Sequence, residues 1–161
     1  VYKRQIQDPK TAGEILSTSR ELLVPGAIRS LADRAVERPL PVMHEGRLLN
    51  DPHRPYRGRY EGDEDISRKA AYHNGTAWTW PFPSFCEAYA MVYPETGKEA
   101  ARAWLSSAAC LINQGCIGHM PEILDGDAPH APRGCDAQAW GVSELLRVWH
   151  LFHRTDPAAD G

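Results

Sequence analysis

The chain has 161 residues, of which 42% are hydrophobic and 24% charged, and its formal net charge is −3 at pH 7. This composition is typical of a globular protein with one core. Lysine and arginine are dispersed, so no basic face for nucleic acid or anionic lipid is expected. No apolar run reaches the ~20 residues of a membrane-spanning helix. We therefore expect neither a nucleic acid nor a membrane as partner.

The cysteines show no metal-binding pattern. The sequence contains four of them, Cys86, Cys110, Cys116 and Cys135, and none belongs to a CxxC pair. Structural zinc sites use tighter ligand spacings. Reduced thiols in a cytoplasmic protein are favoured over disulfides or a metal site. We therefore expect a cytoplasmic protein without a metal ion or another cofactor.

The first predicted helix begins at Asp8 and Pro9, which suit the N-cap and the first helical position. It is expected to end near residues 24–26, where Pro and Gly follow each other. Residues 1–5, VYKRQ, resemble a translated sequencing-adapter artefact and are expected to be a non-native leader. Prolines and dense charges from residue 27 to residue 69 predict a long, ordered connection.

An aromatic stretch follows from Tyr72 to Phe85 and reads YHNGTAWTWPFPSF. Its rings alternate with short polar groups and turn-forming residues, whereas core aromatics are usually separated by aliphatic residues. A flat ring stacks on the C–H face of a sugar while neighbouring polar groups bond the hydroxyls. The pattern therefore favours a sugar-binding site over a core cluster. The candidate residues are Tyr72, His73, Asn74, Thr76, Trp78 and Trp80.

Three further helices are predicted over residues 84–93, 95–113 and about 136–152, each with a buried apolar side. Almost no β signal is present. The expected fold class is therefore all-α, with antiparallel helix pairs joined by long functional loops. The loops 72–83 and 115–134 are expected to meet at one end of the helices.

The segment from Gly118 to Arg147 mixes carboxylates, an imidazole, a guanidinium and an amide with Pro, Gly and Trp. Polar groups among aromatic rings and rigid turns are typical of a small-molecule pocket. From the residues alone, the role of a catalytic base stays open among Glu122, Asp125 and Asp127.

Four motifs carry a specific resemblance. They are ELLVPGAIRSL at 21–31, YRGRYEGD at 56–63, YHNGTAW at 72–78 and PEILDGDAPHAPRGCDAQAW at 121–140. In this order they resemble the C-terminal part of glycogen debranching enzymes, the amylo-α-1,6-glucosidase domain. The resemblance implies a glucoamylase-like (α/α)6 barrel without a metal. It also implies inverting hydrolysis of α-1,6-linked glucose in glycogen or another branched α-glucan.

The resemblance implies roles for individual residues. An inverting glycosidase needs two carboxyl groups about 6.5–9.5 Å apart, and Glu122 matches the family's general base. Asp125 and Asp127 are expected to organise their loop beside the substrate through Asx-type turns. The other residues implied to bind glucose are Tyr72, His73, Asn74, Thr76, Trp78, Trp80, Arg133, Gln138 and Trp140.

Two departures from the family pattern predict a partial domain. The sequence lacks the Trp-Met-Asp-like motif that carries the general acid, and it has room for far fewer helices than a closed barrel needs. Residues 6–154 are therefore expected to be a C-terminal fragment of one catalytic domain, followed by a tail at 155–161. The fragment is expected to be inactive by itself and to pair with the missing N-terminal part of the barrel. The alternatives are a glucoamylase-like or trehalase-like hydrolase, a non-catalytic carbohydrate-binding helical domain and a helical interaction domain.

Overall fold

The computed structural model describes residue 6 and residues 8–153, so the predicted leader and tail lie outside the described residues. Helix α1 spans Pro9–Ser19 and continues into a 3-10 turn at Arg20–Leu22. The Asp8 carboxylate accepts a hydrogen bond from the Thr11 N–H at 2.8 Å. The predicted N-cap is therefore confirmed.

Within the described residues, seven short strands form two antiparallel sheets. The strands are β1 (Leu23–Val24), β2 (Ala27–Arg29), β3 (Met43–His44), β4 (Arg47–Leu48), β5 (Ala77–Trp78), β6 (Ile123–Leu124) and β7 (Pro132–Arg133). The larger sheet has the order β1-β2-β5-β6-β7, and β3 and β4 form a separate hairpin. The larger sheet thus joins segments that lie far apart in the sequence.

Four further helical segments complete the fold of the residues that the structure describes. A π-helical turn at Glu64–Arg68 leads into the short helix α2 (Lys69–Ala71). The longer helices are α3 (Pro81–Val92), α4 (Gly97–Ser107), which continues into a 3-10 turn at Ala108–Leu111, and α5 (Ala139–His153). All three longer helices overlap the predicted ones. Helix α5 begins three residues after its predicted start at Asp136.

The prediction of an all-α fold, and of a portion of an (α/α)6 barrel, is wrong, because the described residues form a mixed α/β structure with a five-stranded antiparallel sheet. Strands of two or three residues are too short to show the alternation that identifies a strand in a sequence. The pair Pro25 and Gly26, interpreted as a helix stop, is the turn of the β1–β2 hairpin. Val24 pairs with Ala27 across this turn.

The two faces of the larger sheet have different surroundings, because cross-strand partners point to the same face. One face packs into a core shared with α1, α3, α4 and α5, and it carries Val24, Ala27, Ala77 and Leu124. The partners on the opposite face are Ile28, Trp78, Ile123 and Arg133. The candidate site residues Trp78 and Arg133 therefore lie on the face opposite to Val24, Ala27, Ala77 and Leu124.

Helix α3 packs against α1, α4 and α5. Its Phe82 is almost fully buried, as are Leu105 of α4 and Val148 of α5. At the rim of this core, the Ser84 hydroxyl donates to Glu144 at 3.0 Å, and Arg147 pairs with Glu87 at 2.6 Å. Among the described residues, no helix combines the length and the apolar character that crossing a membrane requires.

Cys86 of α3 makes stability sensitive to alkaline pH. Its side chain is fully buried, and burial raises the pKa of the thiol from 9.0 to about 12. Between these values the unfolded chain loses a proton that the folded protein keeps, so stability falls as the pH rises. As the pH rises, we expect the free energy of unfolding to fall more steeply in the parent than in Cys86→Ala. The two slopes should differ by up to about 1.4 kcal/mol per pH unit.

Urea denaturation at several pH values between about 9 and about 12 measures this slope. Cys116→Ala, at an exposed cysteine, should keep the parental slope. Parallel slopes for the parent and Cys86→Ala would contradict the prediction, whatever their offset.

Candidate active site

Glu122 lies just before β6, and its backbone is fixed on both sides. Its N–H donates to the Cys135 carbonyl at 2.8 Å, and its own carbonyl accepts from the Thr79 N–H at 3.3 Å. In the half-buried side chain, Oε1 accepts from the Tyr72 hydroxyl, and Oε2 accepts from the Cys135 N–H at 3.1 Å. An ionised carboxylate accepts about four hydrogen bonds. Acceptor positions therefore remain for a water molecule or a sugar hydroxyl.

Gly134 allows the loop after β7 to approach Glu122 closely. Its φ angle is +70°, a conformation that side chains disfavour. A Cβ atom at this position would also lie only 2.6 Å from the Glu122 carboxylate and crowd Ile123. Glycine therefore permits the backbone path that brings the Cys135 N–H to Glu122.

Tyr72 holds the other oxygen of Glu122 and sits within a group of rings. Its ring centroid is 4.8 Å from that of His73, 4.9 Å from Trp78 and 5.6 Å from Tyr60. Burial raises the pKa of the Tyr72 hydroxyl, and the hydrogen bond to the Glu122 carboxylate and its charge raise it further. Tyr72 therefore remains a protonated donor at neutral pH.

An open groove of about 360 Å³ lies beside these rings and is called the aromatic groove here. The residues that line it are Ile28, Arg29, Ser30, His73, Trp78, Trp80 and Pro81. The rings of His73 and Trp78 are stacked with centroids 5.4 Å apart and an interplanar angle of 4°. Trp80 stacks on the exposed Trp140 at 4.3 Å. Ring faces of this kind suit the C–H surface of a sugar.

Asp125 is fully buried, and the protein itself satisfies its carboxylate. Oδ1 accepts from the Tyr60 N–H at 2.8 Å, and Oδ2 accepts from the Arg133 guanidinium at 2.9 Å. The same guanidinium also pairs with Glu61. The hydrogen bond that Arg133 donates to Asp125 is the main cause that raises the pKa of Arg133. The contacts of Tyr60 with Asp125 and of Glu61 with Arg133 join the loop 125–134 to the loop 56–62.

Asp127 holds the same two loops together at a second point. Its Oδ1 accepts from the Tyr56 hydroxyl at 2.8 Å. Nearby, the Gly126 N–H donates to the Gly58 carbonyl at 2.6 Å. A Cβ atom on Gly126 would collide with the Gly75 carbonyl, so a third loop also touches this point through its backbone.

The remaining predicted site residues make internal contacts. The Asn74 side chain donates to the Ala70 carbonyl at 3.2 Å, and the buried Thr76 hydroxyl donates to the Tyr72 carbonyl at 2.6 Å. The backbone N–H of Gln138 donates to the Met120 carbonyl at 3.1 Å. The side-chain Oε1 of Gln138 is buried and has no hydrogen-bond partner among the described residues. Of the predicted residues, the aromatic groove lining includes His73, Trp78 and Trp80.

Sequence reasoning missed one wall of the groove and one backbone donor. Ile28, Arg29 and Ser30 line the groove at β2, and the Cys135 N–H bonds Glu122. A Pro-Gly pair between two short apolar runs is a hairpin signal, and it would have placed Ile28 in a strand. A backbone donor in an irregular loop has no comparable signal.

The described part of the chain brings together no group of three or more His, Cys, Asp or Glu side chains that could hold a metal ion. Its four cysteines are free thiols, with Cys86 buried and the others exposed. Near Glu122 the structure places hydrogen-bond donors and aromatic rings.

A carboxylate beside stacked aromatic rings is the kind of site found in proteins that act on carbohydrates. The family model described as Amylo-alpha-1,6-glucosidase matches residues 11–147. The chain belongs to this family, and the resemblance to the C-terminal domain of glycogen debranching enzymes is confirmed. No curated protein and no solved structure matches the chain significantly.

Replacing Arg133 tests the buried ion pair, because Asp125 then stays buried without its cation. Removing one partner of such a pair typically costs about 3–5 kcal/mol. We expect Arg133→Met to lower the free energy of unfolding by about 3 kcal/mol, as measured by urea denaturation. Arg47→Met, at an exposed position of β4, is the matched control and should change it by less than about 0.5 kcal/mol. Equal effects of the two substitutions would contradict the role of the pair.

Proposed function

We propose that the chain is part of a glycoside hydrolase that cleaves α-1,6-linked glucose at the branch points of glycogen or a related α-glucan. Membership of the amylo-alpha-1,6-glucosidase family supports this substrate class. The observation that carries the proposal is the placement of Glu122, which is oriented by two donors and keeps free acceptor positions. Tyr72, which bonds this carboxylate, packs against two residues of the aromatic groove, His73 and Trp78.

In the proposed mechanism Glu122 acts as the general base of an inverting hydrolysis. A glucose unit stacks on the rings of the aromatic groove, and a water molecule hydrogen-bonds to Glu122. As this water attacks the anomeric carbon from the face opposite the glycosidic oxygen, the carboxylate accepts its proton. The C–O bond to the branch point breaks, and a general acid protonates the departing oxygen. Glucose is released with inverted configuration.

The proposal assigns the general acid to a part of the full protein outside this sequence. The second carboxyl group of an inverting hydrolase lies about 6.5–9.5 Å from the base. Among the described residues, the lining of the aromatic groove includes no carboxyl group. Asp125 is committed to Arg133, and Asp127 is committed to Tyr56. In this proposal both organise the loop beside the substrate.

A second candidate function is glucan binding without hydrolysis. The composition of the aromatic groove favours it, since none of the described residues that line this groove has a carboxyl group. The two candidates differ in one outcome. A hydrolase releases glucose from a branched dextrin, whereas a binding domain retains the dextrin unchanged.

Glucose release from a phosphorylase limit dextrin, assayed with the full-length protein that carries this chain, tests the hydrolase. General-base catalysis typically contributes about 10²–10⁴-fold, so Glu122→Gln should lower kcat by that factor and leave dextrin binding intact. Glu45→Gln, the same change at an exposed turn, should keep the parental rate. Near-parental kcat in Glu122→Gln would exclude Glu122 as the base. Dextrin binding without any glucose release by the parent would favour the binding domain.

Tyr72→Phe tests the orientation of the base, because it keeps the ring and removes the donor to Glu122. A hydrogen bond to a charged group contributes about 1.5–3 kcal/mol, so we expect kcat to fall at least about tenfold while KM changes little. Tyr60→Phe is the matched control, since the Tyr60 hydroxyl makes no hydrogen bond among the described residues. If both substitutions lower kcat equally, the donor to Glu122 has no specific role.

A further inference from the structure

A second concavity, of about 380 Å³, lies beside the aromatic groove and is called the polar groove here. The residues that line it are Asp33, Arg34, Ala35, Arg54 and Tyr56. They come from two loops in the long connection between β2 and α2. Four of these five side chains are charged or carry a hydroxyl, whereas rings and apolar groups dominate the aromatic groove.

Hydrogen bonds connect the two loops that form the walls of the polar groove. The Val36 N–H donates to the His53 carbonyl at 3.0 Å, and the His53 ring nitrogen Nδ1 lies 3.2 Å from the Val36 carbonyl oxygen. A little further along, the Leu40 N–H donates to the Pro52 carbonyl at 2.9 Å. These bonds hold the backbones of the two loops together, while the side chains of Asp33, Arg34 and Arg54 are exposed to solvent.

The charges around the polar groove cancel, yet two of its side chains have no protein partner. Arg34 pairs with Glu21 at 2.5 Å. Within the described residues, the side chains of Asp33 and Arg54 make no hydrogen bond or ion pair. Glu21, outside the lining, balances the charge of Arg34, and Asp33 balances that of Arg54. This balance favours a neutral ligand over an anion. Adjacent sugar hydroxyls match these groups, because they accept from a guanidinium and donate to a carboxylate.

The polar groove and the aromatic groove are neighbours, with one contact between them. Arg29 lines the aromatic groove, and its guanidinium lies 6.0 Å from the ring centroid of Tyr56, which lines the polar groove. Tyr56 in turn donates to Asp127, in the loop that follows Glu122. A branch point extends glucan chains in more than one direction, so a protein that recognises it needs more than one groove.

We propose that the polar groove is a second glucan-binding site, which holds an α-1,4-linked arm of the branched substrate. Arg54 and Asp33 bond the hydroxyls of this arm. The inference rests on the proposed function for the position of the scissile bond in the aromatic groove. Binding to the polar groove itself does not require catalysis.

Calorimetric titration of the full-length protein that carries this chain, with maltohexaose and with isomaltose, tests the proposal. Arg54→Ala and Asp33→Asn should each weaken maltohexaose binding about tenfold, because each loses hydrogen bonds to a charged group. Neither should change the affinity for isomaltose, whose α-1,6 linkage belongs in the aromatic groove. Arg47→Ala, at an exposed arginine of β4, should bind both sugars as the parent does.

Parental maltohexaose affinity in both Arg54→Ala and Asp33→Asn would overturn the proposal, and so would no maltohexaose binding by the parent. Displacement of maltohexaose by inorganic phosphate in the parent, but not in Arg54→Ala, would also overturn it in favour of an anion site. These binding results are independent of the glucose-release assay. Loss of the general-base role for Glu122 would therefore refute the proposed mechanism and leave the polar groove to be judged on binding alone.

Discussion

The ion pair between Asp125 and Arg133 holds the candidate site together. A carboxylate without solvent exposure is tolerated only when charge and hydrogen bonds compensate its lost hydration, and Arg133 and the Tyr60 N–H supply both. The pair fixes the end of β6 to β7 and draws the loop 56–62 onto them. Glu122 immediately precedes β6, so its position depends on the same anchor.

Two carboxylates three positions apart therefore have different physical surroundings. Asp125 has no solvent exposure, and its carboxylate accepts four hydrogen bonds from the protein, whereas Glu122 is half-buried and accepts one on each oxygen. A group that must accept a proton from water needs unused acceptor positions, and Glu122 has them. This contrast supports the choice of Glu122 over Asp125 on physical grounds, independently of the family resemblance.

The sequence predicted what depends on local signals. The Asp8 cap, the three longer helices and the family motifs are all encoded within short windows. The sheet was not predictable in this way, since its strands are two or three residues long and β5 pairs with partners far along the chain. The aromatic residues from Tyr72 to Phe85 occupy two different environments, which their sequence pattern does not reveal. Phe82 and Phe85 enter the core, while Trp78 and Trp80 line the groove.

The main-chain contacts at Gly126 fix the distance between three loops. Gly58, Gly75 and Gly126 bring three loops to within main-chain contact, where a single added methyl group would force them apart. The spacing between these loops is therefore not adjustable by small substitutions. Substitutions meant to reshape either groove should therefore be made at side chains on its rim and not at these three glycines.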